Sequence, residues 1–379
     1  MSILFEIIIG LLILVILVVA HEWGHARAAM KSGVVVEEFG IGMPPIGWRK
    51  KLKNGILLTV NWLPLGGYVK LQGEHDSASK KGDYGAASFW QKTKILLAGV
   101  TVNWIVAAVL LTILSLTGMP KVLSNQFSIA GDSHNISQPV EIVGLTKDHA
   151  AQQAGLLAGD KIIRFAGNEV PDTDSLIQLS KKYKGQKIEV IYSRKGVEQK
   201  VKLTLGSSAD GGYFGASLGQ RELIRSTWSA PIVGVATTAQ FTWATLEGTV
   251  NLFASLFNGF IYQFSPDSDV RKEASTELNS ASESVAGPIG IIGTIFPQAQ
   301  EAGLTQLVFL TAIISLSLAV MNVLPIPALD GGRWTLMTIY KIRKKKLTKA
   351  HEEKVQMIGF YILMGLVVLV TIVDVSRLI

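Results

Sequence analysis

Cysteine is absent from all 379 residues, which excludes a disulfide framework and any metal held by thiolate. Charge is scarce too. Asp, Glu, Lys and Arg make up 17% of the chain, against about 25% in ordinary globular domains, while nearly half the residues are hydrophobic. That balance excludes a plain soluble protein. The N-terminus lacks a basic n-region and a small-residue cleavage site, so its apolar stretch is expected to be a retained span and not a removed signal peptide. The formal net charge of +7 could suggest nucleic acid, but the basic residues form no nucleic-acid patch, and no nucleic-acid partner is expected. Internal repeats of the transporter kind are missing as well.

What is present is a set of long apolar stretches. Ile3–Ala20, Ile95–Leu116, Leu307–Leu324 and Met357–Val373 each read as a membrane span, predicting a polytopic α-helical membrane protein with about four transmembrane helices in contact with lipid. Arg27–Lys94 carries eleven Lys/Arg against five Asp/Glu, and Lys341–Lys354 seven against two. Gly118–Thr305 has sixteen against eighteen. The positive-inside rule then puts the first two regions in the cytoplasm and the long one outside. Pro231–Phe264 is apolar but Thr- and Ala-rich, with Glu247 in its middle. A fifth span there would reverse the third, so an amphipathic helix on the outer interface is expected, followed by a polar linker over Ser265–Ser284.

Within the outer segment, Ser137–Leu205 alternates apolar and polar residues, with turns at Ala158-Gly159-Asp160 and Ala166-Gly167-Asn168 and a helix over Asp174–Lys184. Ala150-Ala151-Gln152-Gln153-Ala154-Gly155-Leu156, continuing through Gly159-Asp160-Lys161-Ile162-Ile163 to Gly167, resembles a PDZ domain of the protease-associated kind, over residues 137–206. That resemblance implies an α+β domain that binds extended peptide by adding a strand to a sheet edge. A spacer that limits access by size is the alternative.

The chemistry starts where the first span ends. His21-Glu22-Trp23-Gly24-His25 is an HExxH motif joined directly to eighteen mostly apolar residues. Two His at i and i+4 project from one helix face and can share a zinc ion, with Glu22 as general base. A helix end with interfacial His and Glu would be the bland reading, but ionisable groups at membrane depth are costly and usually functional. Zinc needs a third protein ligand. The HExxHxxGxxH pattern fails, because position 28 is Ala and position 31 is Lys. His134 and His149 lie on the outer side, and His75 and His351 sit in polar cytoplasmic segments. A better candidate follows the third span, where Pro325 and Pro327 break the helix and Asp330 supplies a carboxylate. Both spans run inward, so His21 and Asp330 reach the same membrane face.

Upstream, Ile56–Val60 and Tyr68–Leu71 are strand-like and joined by Asn61-Trp62-Leu63-Pro64-Leu65-Gly66-Gly67, which predicts a β-hairpin over residues 55–73.

Taken together, HExxH on the first span, Asn322-Val323-Leu324-Pro325-Ile326-Pro327-Ala328-Leu329-Asp330-Gly331 after the third, the PDZ-like segment between spans two and three, and Gly66-Gly67-Tyr68-Val69-Lys70 resemble the site-2 protease family. The similarity is to its bacterial branch typified by the regulator-of-sigma-E protease. It runs nearly the whole chain, although this chain has room for one PDZ domain where many members have two. The resemblance implies an intramembrane zinc metalloprotease with one Zn2+ per chain, held by His21, His25 and Asp330, with Glu22 catalytic. It further implies substrate contacts from Asn322 and from Gly66, Gly67, Tyr68, Val69 and Lys70 of a membrane-associated hairpin. The expected substrates are single-span membrane proteins such as anti-sigma factors and signal-peptide remnants, with a peptide ligand on the PDZ domain. The expected location is the bacterial cytoplasmic membrane, with the site toward the cytoplasm and the PDZ domain outside. The corresponding organisation is a first half-core at 1–118, the PDZ domain at 137–206, the interfacial helix and linker at 226–285, and a second half-core at 286–379. A non-catalytic PDZ-bearing receptor is the rival reading. It would have no use for two imidazoles and a carboxylate meeting at one depth.

Overall fold

The computed structural model describes residues 3–194, 196–207, 212–283 and 287–378, and the chain divides into two compact units. One comprises Met1–Ile113 with Gly234–Ile379, and the other comprises Leu114–Val233.

The first unit begins with α1 (Ile3–Lys31), β1 (Val36–Lys51), β2 (Leu57–Leu71) and α2 (Phe89–Thr117). Twenty-nine residues of helix reach about 44 Å, so α1 outlasts the ~30 Å hydrocarbon core and carries the HExxH turn beyond its apolar run. Between the two helices the chain doubles back on itself. Phe39 of β1 faces both Leu58 and Val69, and Gly40 faces both Thr59 and Tyr68. Trp48 and Lys50, later in β1, pair with Val60 and Leu58. Each long strand is thus folded into two, and the start of β1 lies between the halves of β2. The hairpin expected over 55–73 does not form. The seven residues Asn61–Gly67 carry the chain past an intervening strand, which 36–41 supplies.

The second unit takes the chain through β3 (Met119–Pro120), β4 (His134–Ser137), β5 (Val140–Leu145), α3 (Ala150–Gln153), β6 (Lys161–Phe165), β7 (Asn168–Glu169), α4 (Thr173–Lys182), β8 (Lys187–Arg194), β9 (Val197–Thr204), β10 (Ala216–Gly219) and β11 (Glu222–Arg225). One sheet has the order β10-β5-β6-β8-β9 with β7 beside β6, and β3-β11-β4 forms another. Alternate residues of β5 and β8 point inward and a register shift in β6 turns two of its residues the same way, so Val140, Ile142, Ile162, Phe165, Ile188 and Val190 are buried with Leu176 of α4. Asp172 caps α4 by accepting from the Ser175 amide at 2.7 Å. Asp160 is buried against Arg194, which donates to both its oxygens at 2.7 Å. Asp132 accepts from the backbone amides of Thr227 (2.8 Å) and Ser229 (3.0 Å) and from both their hydroxyls.

The chain then continues as α5 (Ala230–Tyr262), α6 (Ser268–Glu283), the short α7 (Pro288–Gly290), a π-helical turn at Ile291–Ile295, α8 (Phe296–Glu301), α9 (Leu304–Val323), α10 (Asp330–Ile342) and α11 (Lys349–Leu378). Two expectations are corrected here. In α5, Gly234 abuts Thr112 of α2, while Thr242 accepts from the Trp104 indole at 3.0 Å. Eight residues forward on α5 match eight backward on α2, so this half of the helix runs antiparallel to α2 instead of lying across an interface. Phe241 also meets Phe309 of α9, with ring centroids 5.8 Å apart. Thr and Ala lower the apolarity of this stretch, yet they are the small residues that let helices approach. The segment 265–284, expected as a linker, is mostly the helix α6. It packs back on α5, with Gly259 against Leu278 and Gln263 donating to Ser275 at 2.8 Å.

Among the described residues, α1, α2 and α9 are long and apolar enough to cross a membrane, with mean hydropathies of 3.3, 2.2 and 2.1 over their most apolar windows. The fourth expected span, Met357–Val373, falls within α11, and the side chains at 369, 372 and 373 lie outside the described set.

Candidate metal centre

Helix periodicity puts His21 and His25 one turn apart on the face of α1 turned toward α2, and both are buried. The third group arrives from far along the chain. α9 stops at Val323, and a proline-containing turn leads to Asp330, the first residue of α10. The turn is tight enough that a side chain at position 331 would overlap the Val323 and Leu324 carbonyls.

His21 Nε2 and His25 Nε2 each lie 3.2 Å from Asp330 Oδ2, and they are 3.1 Å from each other. Among the described residues this is the cluster of His and acidic groups able to share a metal ion. Donors about 2.0–2.1 Å from a tetrahedral zinc are separated by roughly 3.3 Å along each edge. The observed triangle therefore matches three corners of such a site. The tautomer fits as well. His25 Nδ1 lies 2.8 Å from the Ile95 carbonyl, which can only accept, so the proton sits on Nδ1 and the Nε2 lone pair faces the triangle. Among the described residues, His21 Nδ1 is buried without a hydrogen-bond partner.

Two features around the triangle were not legible from sequence. Gly99 of α2 faces the imidazoles directly, and a Cβ there would lie 2.7 Å from His21 Nε2 and closer still to His25 Nε2. An isolated glycine in an apolar helix was its only signal. The other is a clamp on α10. Arg333, one turn after Asp330, donates to Glu352 of α11 at 3.2 Å and to the Glu74 carbonyl, and its guanidinium stacks 4.5 Å from the Tyr84 ring centroid. Glu352 accepts from the Asp76 amide at 2.9 Å, Asp76 pairs with Lys92 of α2, and the Trp334 indole donates to Thr93 at 3.1 Å. Four segments are thereby tied to the helix that carries the carboxylate.

The remaining sequence-derived candidates are placed unevenly. Gly67 packs against Glu22, with 3.4 Å from a Cβ position there to Glu22 Cγ, and the Val69 amide faces the Glu22 carboxylate. Gly66 sits at the bend within β2 with φ +82°. Tyr68 turns elsewhere, its hydroxyl donating to Glu38 at 2.6 Å, and Lys70 pairs with Glu37 at 3.0 Å in solvent. Asn322 stands at the end of α9, where its amide donates to Leu318 O at 2.9 Å, within its own helix.

The model of a protein family described as peptidase family M50 matches residues 9–366. A protein of Clostridium acetobutylicum assigned as a zinc metalloprotease is 30% identical, covering 98% of this chain and 97% of its own. One of Clostridium perfringens with the same assignment is 29% identical over 97% of this chain and 98% of its own. The zinc metalloprotease RasP of Shouchella clausii is 26% identical, covering 96% and 97%.

Proposed function

The chain belongs to peptidase family M50, and from that premise we propose that it is a zinc endopeptidase cutting the transmembrane segments of single-span proteins, such as anti-sigma factors and signal-peptide remnants. Family and apolar helices together make it an integral membrane protease. The observation that carries the finer reading is the donor triangle of His21, His25 and Asp330, set at the end of an apolar helix.

These three residues would hold the ion, which when bound supplies Lewis acidity to polarise the scissile carbonyl and acidify water. Glu22 follows His21 on the same helical turn and acts as general base, taking a proton from the attacking water and returning it to the leaving amine. Asn322 would steady the developing oxyanion after releasing its bond to Leu318. A helical substrate hides its carbonyls in i to i−4 bonds, so it must be unwound first. The strand Gly67–Leu71 supports this step, since its ladder partners lie on β1 and its Val69 amide faces Glu22.

In this reading the inserted β-rich unit is a PDZ-like domain that takes extended peptide at a sheet edge. Charge asymmetry along the sequence supports placing it outside a bacterial cytoplasmic membrane, with the metal centre toward the cytoplasm.

Glu22→Gln and Asp330→Ala test the proposal in purified protein with a tagged single-span substrate. Glu22→Gln is expected to keep about one zinc per chain and lose at least ~100-fold in cleavage. Asp330→Ala should lose zinc itself. Full zinc occupancy in Asp330→Ala, or wild-type cleavage by Glu22→Gln, defeats it.

A further inference from the structure

A cavity of about 530 Å3 opens between residues 76–79, the start of α2 and the end of α10. We propose that it binds the phosphate-bearing headgroup of an anionic phospholipid. This inference concerns a site apart from the donor triangle and does not depend on the catalytic reading.

Its position is set by α2. Phe89 begins that helix, and the membrane-crossing stretch follows within two turns, so the cavity sits at the level of a membrane–water boundary. Trp90 is 68% exposed and Ile342, at the end of α10, 74% exposed. Large side chains left bare at that level suit an interface where rings and alkyl groups meet lipid.

The lining combines two chemistries. Phe89, Met337 and the buried Leu347 give it an apolar wall, while Lys341, Lys345 and Lys346 line the same space with three basic side chains. Lys92, also on the wall, is already neutralised by Asp76. Among the described residues, the ion pairs of this region are Lys92–Asp76, Arg333–Glu352, His75–Glu353 and Lys349–Glu353, and none uses the three lysines.

The three are also held in place by the backbone. Lys344 adopts φ +51°, its amide bonds Lys341 O at 3.1 Å, and the Lys345 amide bonds Tyr340 O at 3.0 Å. That turn reverses the chain after α10 and carries Lys345 and Lys346 back to the cavity, with Leu347 as the anchor. Lys341 Nζ lies 3.5 Å from the Phe89 ring centroid, which fixes a cation at the mouth. A phosphate oxygen cluster would relieve the mutual repulsion of the ammonium groups. The apolar wall and bare rim call for a ligand that also carries hydrocarbon, which a soluble phosphate does not.

The test uses full-length protein in detergent with equal phosphatidylglycerol and phosphatidylcholine, reading retained lipid by native mass spectrometry. Wild type should retain phosphatidylglycerol preferentially, and Lys341→Gln/Lys345→Gln/Lys346→Gln should cut that retention roughly five-fold or more. The triple Lys→Arg variant should retain it. The exposed Lys345→Glu/Lys346→Glu pair gives a second variant that leaves the Phe89 contact in place, and it should match the glutamine triple. Lys50→Gln/Lys51→Gln/Lys53→Gln, equally basic but outside the cavity, should behave as wild type. Equal losses in this control and the cavity variants would mean diffuse attraction to charge, overturning the site. Displacement by millimolar glycerol phosphate would make the ligand a soluble anion, which also overturns the proposal.

Discussion

Replacing Gly99 by alanine adds one methyl group at the point where α2 meets the two imidazoles. The new Cβ would stand 2.7 Å from His21 Nε2 and nearer still to His25 Nε2, whereas ordinary van der Waals contact begins near 3.4 Å. If the helices stay in place, the His21 ring must therefore retreat by about 0.7 Å and the His25 ring by about 1.0 Å, while metal–donor distances tolerate only about ±0.2 Å. The rings cannot turn away freely, because His25 is held by the Ile95 carbonyl one turn earlier on α2. Losing a supporting contact typically weakens metal binding 10–100-fold, and displacing the ligands themselves should reach the upper end of that range or beyond. If α1 and α2 separate instead, the cost is one of overpacking, about 1–3 kcal/mol. Zinc affinity measured by chelator competition, alongside a thermal melt, separates the two routes. Gly248→Ala on α5, with open space at its Cβ position, is the control. Wild-type zinc affinity together with a wild-type melt in Gly99→Ala would refute the idea that the imidazole nitrogens facing Gly99 are the ligands.

Further outcomes are equally definite. Arg333→Met leaves Glu352 buried without its cation, and should cost about 3–5 kcal/mol in a denaturant melt. Arg333→Met/Glu352→Leu should recover much of that, and a single variant melting like wild type would remove the clamp from the account. In the inserted unit, burial favours the protonated form of Asp132, but bonds from Ser229 and Thr227 outweigh it and hold the carboxyl below its usual range. Its stabilising effect is therefore complete above about pH 4 and fades as pH falls toward the folded value. Asp132→Asn should speed amide exchange over residues 222–233 at pH 7 and flatten this acid dependence; unchanged exchange would contradict it.

The grouping of His21, His25 and Asp330 was more legible in the sequence than the packing around it. His21 and His25 needed only helical spacing, and Asp330 was marked by prolines that stop a helix where a carboxylate follows. Gly99 carried no comparable mark, because a missing side chain gains meaning only when another helix is pressed against it. The bent sheet was misread for a related reason. Local composition marks 56–60 and 68–71 as strand-like, but does not show that 36–41 comes between them. Pro231–Phe264 gave an ambiguous signal because Thr and Glu247 depress its apolarity, while the fit of Gly234 against Thr112 is a property of two helices at once. Arg333 and Glu352 carried no mark of their own, because they become a buried pair only when α10 and α11 pack together.

The donor triangle draws on the opening helix and on a turn more than three hundred residues later. A nascent chain leaving the ribosome therefore lacks a complete ligand set until its third apolar helix has been made and the following turn has emerged. Products cut short before that turn hold two corners of the triangle without the third.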